Sequence, residues 1–159
     1  MNPHELARLL DTQAPALILY ARQWCNTPED VVQQAFLQLV HARPLPQDIS
    51  AWLYRVVRNA AVDAARSQRR RQRREAEVAR PVRWFVETEV EGLDVAAAVE
   101  ALQALPLDQR EVLVAHLWGG QTFEAIAGLV GCSASTAFRR YQAGLAALRQ
   151  KLGVSCPTN

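Results

Sequence analysis

A chain of 159 residues, half of them hydrophobic and 21% charged, is long enough for one domain or two small ones. No stretch reaches the roughly 18 uncharged apolar residues of a membrane span, and the start, Met1-Asn2-Pro3-His4-Glu5, lacks the basic end and apolar core of a signal peptide, so a cytoplasmic location is expected. The net charge of +2 hides an uneven distribution that suits contact with a polyanion at two places rather than one.

Residues 1–54 carry three Arg and five acids, and residues 55–74 carry eight Arg and one acid. Residues 75–111 reverse this with three Arg and nine acids, and residues 112–159 return to four cations and one acid. Residues 4–24 show helical spacing interrupted at Pro15, which fits one kinked helix or two short ones. Thr27-Pro28-Glu29-Asp30 then offers a cap, a first-turn proline and acids that oppose the helix dipole. That helix is expected to run to about His41 with a core stripe of Val32, Ala35, Phe36, Leu39 and Val40, ended by Pro44 and Pro46.

Ser50 is the next candidate cap, opening a long helix to about Arg74 without Gly or Pro. Leu53, Val56, Val57, Ala60 and Ala64 fall on one side, and Arg55, Arg58, Arg66, Arg69, Arg70 and Arg73 fall on the other. Asn59 and Val62 share the basic face, with Trp52 at its edge. Residues 75–95 lose periodicity, gain acids and contain Pro81 and Trp84-Phe85, which reads as a linker. Helical pattern returns over 95–105 and 108–118, stopped by Gly119-Gly120. Thr122 can cap a short helix from Phe123 to Leu129. Val130-Gly131-Cys132 forms a turn, and Ser133 caps a last helix to about Leu152. A helix, a short turn containing Gly and a second helix form the helix-turn-helix pattern. In the second helix Ala137, Tyr141, Leu145, Leu148 and Leu152 make the inward stripe. Ser135, Thr136, Arg139, Gln142 and Ala143 face outward, where a helix entering a major groove presents its reading side chains.

Cys25, Cys132 and Cys156 lack any Cys-x-x-Cys spacing and are expected to be reduced thiols. His4, His41 and His116 lie too far apart to suggest a metal site. Neither a metal nor a cofactor is expected. No nucleophile and base pairing or Gly-rich phosphate loop points to an enzyme.

Three segments carry a family resemblance. Trp52-Leu53-x-x-Val56-Val57-Arg58-Asn59-x-x-x-Asp63-x-x-Arg66 resembles the second region of group IV, or extracytoplasmic-function, sigma factors of the sigma-70 family. Asp30-Val31-Val32-Gln33-Gln34-Ala35-Phe36-Leu37 is similar to the segment before it. Leu105-Pro106-Leu107-Asp108-Gln109-Arg110-Glu111-Val112-Leu113, with Thr122-Phe123-Glu124-Ala125-Ile126-Ala127 and the turn, is similar to their fourth region.

The resemblance implies an all-α chain of two small helical domains, residues 1–74 and 96–159, joined by an acidic flexible linker over 75–95. It implies that Asp30, Gln33, Phe36 and Leu37 hold the clamp helices of core RNA polymerase. The minus-ten element of promoter DNA would be met and opened by Trp52, Arg55, Arg58, Asn59, Asp63, Arg66, Arg69 and Arg70. The minus-thirty-five element would be read by Thr122, Ser133, Ser135, Thr136, Arg139, Arg140 and Gln142, while the second domain docks on the beta flap. The acidic linker would thread the positively lined channel of the polymerase toward the RNA exit. An anti-sigma factor is a candidate regulator, because only about six residues follow the last helix and no C-terminal regulatory extension is expected.

Two positions depart from the family pattern. Gln34 stands where an acid is frequent, and Phe138 stands where a cation is common. Phe138 lies near the flank of the inward stripe, so packing is favoured for it over contact with a thymine methyl. Tyr54 is expected in the core, and Asp63 is expected to orient a neighbouring Arg in a weak surface pair. The rival function is a stand-alone helix-turn-helix regulator acting without polymerase.

Overall fold

The computed structural model describes residues 2–75 and 95–153, without the side chains of 72–75 and 95–96. The linker expected over 75–95 therefore lies outside the described residues but for its ends, as do Cys156 and the Arg73 and Arg74 side chains. The described residues are all-α, with seven helices and no strand. The chain divides into two compact units, residues 1–82 and 83–159.

In the first unit, α1 (Pro3–Ala21), α2 (Pro28–His41) and α3 (Ile49–Glu75) each pack against the other two. Asn2 opens α1 with a capping box: its side chain accepts the Glu5 N–H at 2.8 Å, and the Asn2 N–H donates to the Glu5 carboxylate at 2.9 Å. The helix continues through Pro15 as one element. A proline there removes one backbone hydrogen bond and crowds the preceding turn, at a cost of about 3 kcal/mol. Burial of Leu17, Leu19, Tyr20 and Ala21 beyond it offsets that cost, since each large apolar side chain contributes about 1.5–3 kcal/mol when fully buried.

Tyr20 sits at the centre, its ring edge-on to Tyr54 at 4.9 Å and to Trp24 at 5.0 Å. Around it are Val32, Ala35, Phe36 and Leu39 of α2 and Leu53, Val57 and Ala61 of α3, all buried. Burial pushes the Tyr54 hydroxyl well above the ordinary tyrosine range.

Four expectations for this unit change. Asp48, not Ser50, caps α3, its carboxylate accepting the Ala51 N–H at 2.9 Å. Thr27 takes the cap position of α2 without a side-chain hydrogen bond. The inward stripe of α3 is Leu53, Tyr54, Val57 and Ala61, about 60° round from the expected one; Val56, Ala60 and Ala64 are only half-buried. Val40 is exposed rather than part of the α2 core.

In the second unit, α4 (Val95–Gln103), α5 (Leu107–Leu117) and α6 (Phe123–Val130) each pack on α7 (Ala134–Leu152). Residues 111–115 of α5 are buried on every side, which makes α5 the central helix. Arg110 ties α4 to it by donating to the Gln103 carbonyl at 2.9 Å, and desolvation there lowers the pKa of the guanidinium. The approach of α7 to α5 depends on Gly144. A Cβ on it would lie 2.6 Å from Leu113 Cδ1 and 3.3 Å from Gln109 Cβ. Gly131, at φ 73°, closes α6 in the left-handed conformation that favours glycine. Ala137 and Gly144 are the buried residues of α7, while Leu152, expected inside, is exposed.

Candidate nucleic-acid interface

The outer side of α3 is set by what its inner side buries. With Leu53, Tyr54, Val57 and Ala61 turned inward, Arg55, Asn59, Asp63, Arg66, Arg69 and Arg70 are all exposed and Trp52 is half-buried. The sequence-derived ridge is thus assembled on one helix, with Asn59 near its middle. Two of its members are held by neighbours on the same helix. Arg66 pairs with Asp63 at 3.5 Å, both side chains more than 70% exposed, a geometry that orients more than it stabilises. Arg70 donates to the Ser67 hydroxyl at 3.1 Å.

Arg58 is placed differently. Its guanidinium carbon lies 6.0 Å from the centre of the Trp24 ring, within the range of a cation–π contact. Trp24 leans on Tyr20, and Tyr20 on Tyr54. An aromatic ladder therefore runs from the core of the unit to the flank of the basic ridge. Trp24 is the member of this site that sequence reasoning missed. The only signal was an aromatic residue just past the end of α1, and nothing in the spacing connects it to Arg58.

On α2, Asp30, Gln33, Gln34 and Leu37 form one exposed strip, and Leu37 leaves 48% of its surface open. Phe36 was expected to touch the partner together with these residues, and it does not belong to the strip. It is 4% exposed because it points between the helices, so it supports the surface from beneath. The Arg22 guanidinium meets the Glu29 carboxylate at 2.7 Å beside this strip, and that hydrogen bond holds the carboxyl below the usual glutamate range.

In the second unit, Thr122 and Ser133 cap the two helices of the helix-turn-helix. Thr122 Oγ1 accepts the Ala125 N–H at 3.2 Å, and Ser133 Oγ accepts the Thr136 N–H at 3.1 Å. The Ser133 and Thr136 hydroxyls are also hydrogen-bonded, at 2.9 Å. The Thr122 and Ser133 hydroxyls serve the backbone first, and Thr136 is tied to Ser133, which makes the three framing residues. Ser135, Arg139 and Gln142 are exposed on one side of α7. Arg140 is turned away from them, with its Nε 3.3 Å from Asp108 of α5. The resemblance counts Arg140 among the minus-thirty-five contacts, and this ion pair directs its side chain toward α5.

Phe138 both packs and shows. Its ring meets Phe123 edge-on at 5.2 Å, and 44% of the residue stays exposed. Phe123 is stacked on His116 at 4.4 Å, and His116 Nδ1 lies 2.8 Å from the Gln121 carbonyl oxygen. Among the described residues no cluster of His, Cys, Asp or Glu is suited to a metal ion, and no helix is long and apolar enough to cross a membrane.

Known proteins resemble the chain in the same two places. The family described as Sigma-70 region 2 matches residues 9–71, and that described as Sigma-70, region 4 matches residues 96–148. The chain is 31% identical over 134 residues to the probable RNA polymerase sigma factor RfaY of Xanthomonas campestris pv. campestris, covering 78% of this chain and 34% of that one. It is 30% identical over 142 residues to the ECF RNA polymerase sigma factor SigD of Mycobacterium tuberculosis, covering 79% of this chain and 66% of the relative. The match thus spans about a third of the first relative and just under two thirds of the second.

Its fold is similar to that of the sigma factor RpoE from Bartonella quintana, solved in complex with the anti-sigma factor NepR, with a TM-score of 0.73 and 24% identity over 94% of this chain and 97% of that one. It is also similar to CnrH, solved with the cytosolic domain of CnrY, with a TM-score of 0.62 and 22% identity over 98% of this chain and 92% of that one. With a region 2 unit and a region 4 unit in that order, the chain belongs to the sigma-70 family, as a sigma factor of the extracytoplasmic-function type.

Proposed function

We propose that the chain is a sigma subunit that binds core RNA polymerase, carries it to promoters and opens the DNA there, with no catalytic site of its own. The observation that carries this reading is the α3 ridge, exposed Arg55, Asn59, Arg66, Arg69 and Arg70 on a helix whose opposite side is the core of the first unit.

Each part of the ridge has a separate task. The Arg residues neutralise phosphates, so affinity falls steeply as salt rises. Trp52 and Asn59 can hold a base only after it has left the stack, because ring stacking and edge hydrogen bonds need an exposed base. Binding energy available only on the open strand favours opening. Arg58, steadied by Trp24, places one cation where the strands part. The α2 strip of Asp30, Gln33 and Leu37 meets the clamp helices of the polymerase. Exposed Leu37 supplies the apolar contact, and Gln34 supplies a neutral hydrogen-bonding group where the family pattern favours an acid. In the second unit, Ser135, Arg139 and Gln142 of α7 face the minus-thirty-five element.

The domains follow as residues 1–74 and 96–159, with the acidic segment over 75–95 passing along the polymerase between them. The protein works in the cytoplasm, where the polymerase and the chromosome are. An anti-sigma factor is the proposed regulator. The sigma factor RpoE, similar in fold, was solved with an anti-sigma factor, and covering the α2 strip would keep the chain from polymerase.

Run-off transcription with purified core polymerase on a genomic promoter library, beside a gel shift without polymerase, tests the reading. Specific start sites in the first and weak binding in the second are expected. Tight, sequence-specific binding without polymerase, together with no specific starts, would replace it with a stand-alone regulator.

A further inference from the structure

We infer that the Phe138 ring reads the C5 methyl group of a thymine in the major groove of the minus-thirty-five element, which makes Phe138 a specificity-determining residue of this chain. The inference rests on the reading of α7 as the helix that enters the groove. It adds which base one side chain selects and by what chemistry.

Phe138 lies between Ser135, three residues before it, and Gln142, four residues after it, and both neighbours are exposed. Side chains at these spacings share one side of a helix, so an aromatic ring sits within an otherwise polar reading surface. Its 44% exposure leaves much of the residue open. The rest is fixed by contact with Phe123 at 5.2 Å and an interplanar angle of 80°. Phe123 is itself stacked on His116 and edge-on to Tyr141 at 5.5 Å. The ring is held from behind by an aromatic cluster that spans α5, α6 and α7, so little side-chain freedom remains to be lost when DNA arrives.

A cation at this position would reach a phosphate or a guanine edge, and phenylalanine can do neither. Of the four base pairs, only those with thymine present a methyl group in the major groove, and an apolar side chain is its natural counterpart. Exposed Arg139, next in sequence, supplies the charge that draws the helix into the groove.

The test is a thymine to deoxyuridine scan of the minus-thirty-five element in a promoter that the reconstituted holoenzyme uses. This change removes one methyl group and nothing else. One position is expected to lower promoter use about fourfold, the effect of one methyl no longer buried. With Phe138→Ala that sensitivity disappears, and with Phe138→Leu part of it remains. The scan with the unaltered chain needs no variant to fold.

A selected element without thymine, or an element whose thymines all tolerate deoxyuridine, overturns the inference while leaving the sigma reading intact. So does a Phe138→Ala variant that keeps the methyl sensitivity, or one that weakens all promoters equally and so marks Phe138 as a protein contact. Absence of specific starts with any promoter overturns the sigma reading, and this inference falls with it.

Discussion

The two units solve the same problem, a helix that must both pack and, on the proposed reading, meet DNA, in opposite ways. In the first, α3 separates the tasks by face: Leu53, Tyr54, Val57 and Ala61 are buried, Arg55, Asn59, Arg66, Arg69 and Arg70 on the outer side are exposed, and Arg58 leans on Trp24 at the flank. In the second, α7 mixes them. Phe138 leans on Phe123 while facing outward, Arg140 is held by Asp108, and Ser133 and Thr136 spend their hydroxyls on the helix start. Substitutions on the DNA side should therefore leave stability intact in the first unit and affect both stability and reading in the second.

The largest effect that tests this separation is expected from Arg58→Ala combined with Asn59→Ala. Promoter opening, followed by permanganate reactivity of thymines near the start site, should fall at least about thirtyfold, as expected for two lost contacts of about 1–3 kcal/mol each. Core polymerase binding should be unchanged. Loss of that binding instead would mean the two faces of the first unit have been exchanged.

Packing at the close crossing comes next. Gly144→Ala forces a Cβ to 2.6 Å from Leu113 Cδ1 and should destabilise the second unit by about 1–3 kcal/mol, seen as a lower melting temperature for that unit alone. Gly128→Ala, where the added carbon meets nothing within 4 Å, should instead stabilise α6 by about 0.5–1 kcal/mol. Equal effects at the two glycines would contradict the crossing.

How far this contrast could be foreseen differs between its parts. The helix-turn-helix was legible because Thr122, Gly131 and Ser133 are punctuation whose action is local, and all three act as caps. The length of α3 was legible for a similar reason, since nothing inside it breaks a helix. Its inward stripe was placed too far round because Val56, Ala60 and Ala64 are as apolar in sequence as Val57 and Ala61. Depth is decided by where α1 and α2 converge, around the ring of Tyr20. The need for Gly144 lies in Leu113 on another helix, and Trp24 reaches Arg58 only once α1 and α3 have packed. Neither leaves a mark on local pattern. Phe36 was apolar at a position the family motif also names, and the motif alone could not separate support from contact.

A smaller effect sharpens the picture of the ridge. Arg66→Ala should leave the melting temperature of the first unit within experimental scatter, because an exposed pair contributes about 0–1 kcal/mol. The slope of log affinity against log salt should become shallower by about one. A clear loss of stability would show that the face carries packing after all.

The smallest effect concerns Arg22 and Glu29, at 2.7 Å with the carboxylate side chain 58% exposed. The Glu29 carboxyl is held below its ordinary value, so the stabilisation it gives is present above the unfolded glutamate pKa of about 4.3. It is lost as pH falls through the lowered folded value. Solvent screening limits it to less than about 1 kcal/mol. Denaturant midpoints of Glu29→Gln and the unaltered chain should differ slightly at neutral pH and converge in acid.

Co-elution of the purified chain with bacterial core RNA polymerase, followed across a range of salt concentrations, tests the central claim most directly. A one-to-one complex is expected, stable at low salt and lost when Leu37 is replaced by a charged residue. No association at any salt concentration would contradict the account, whatever DNA the chain binds alone.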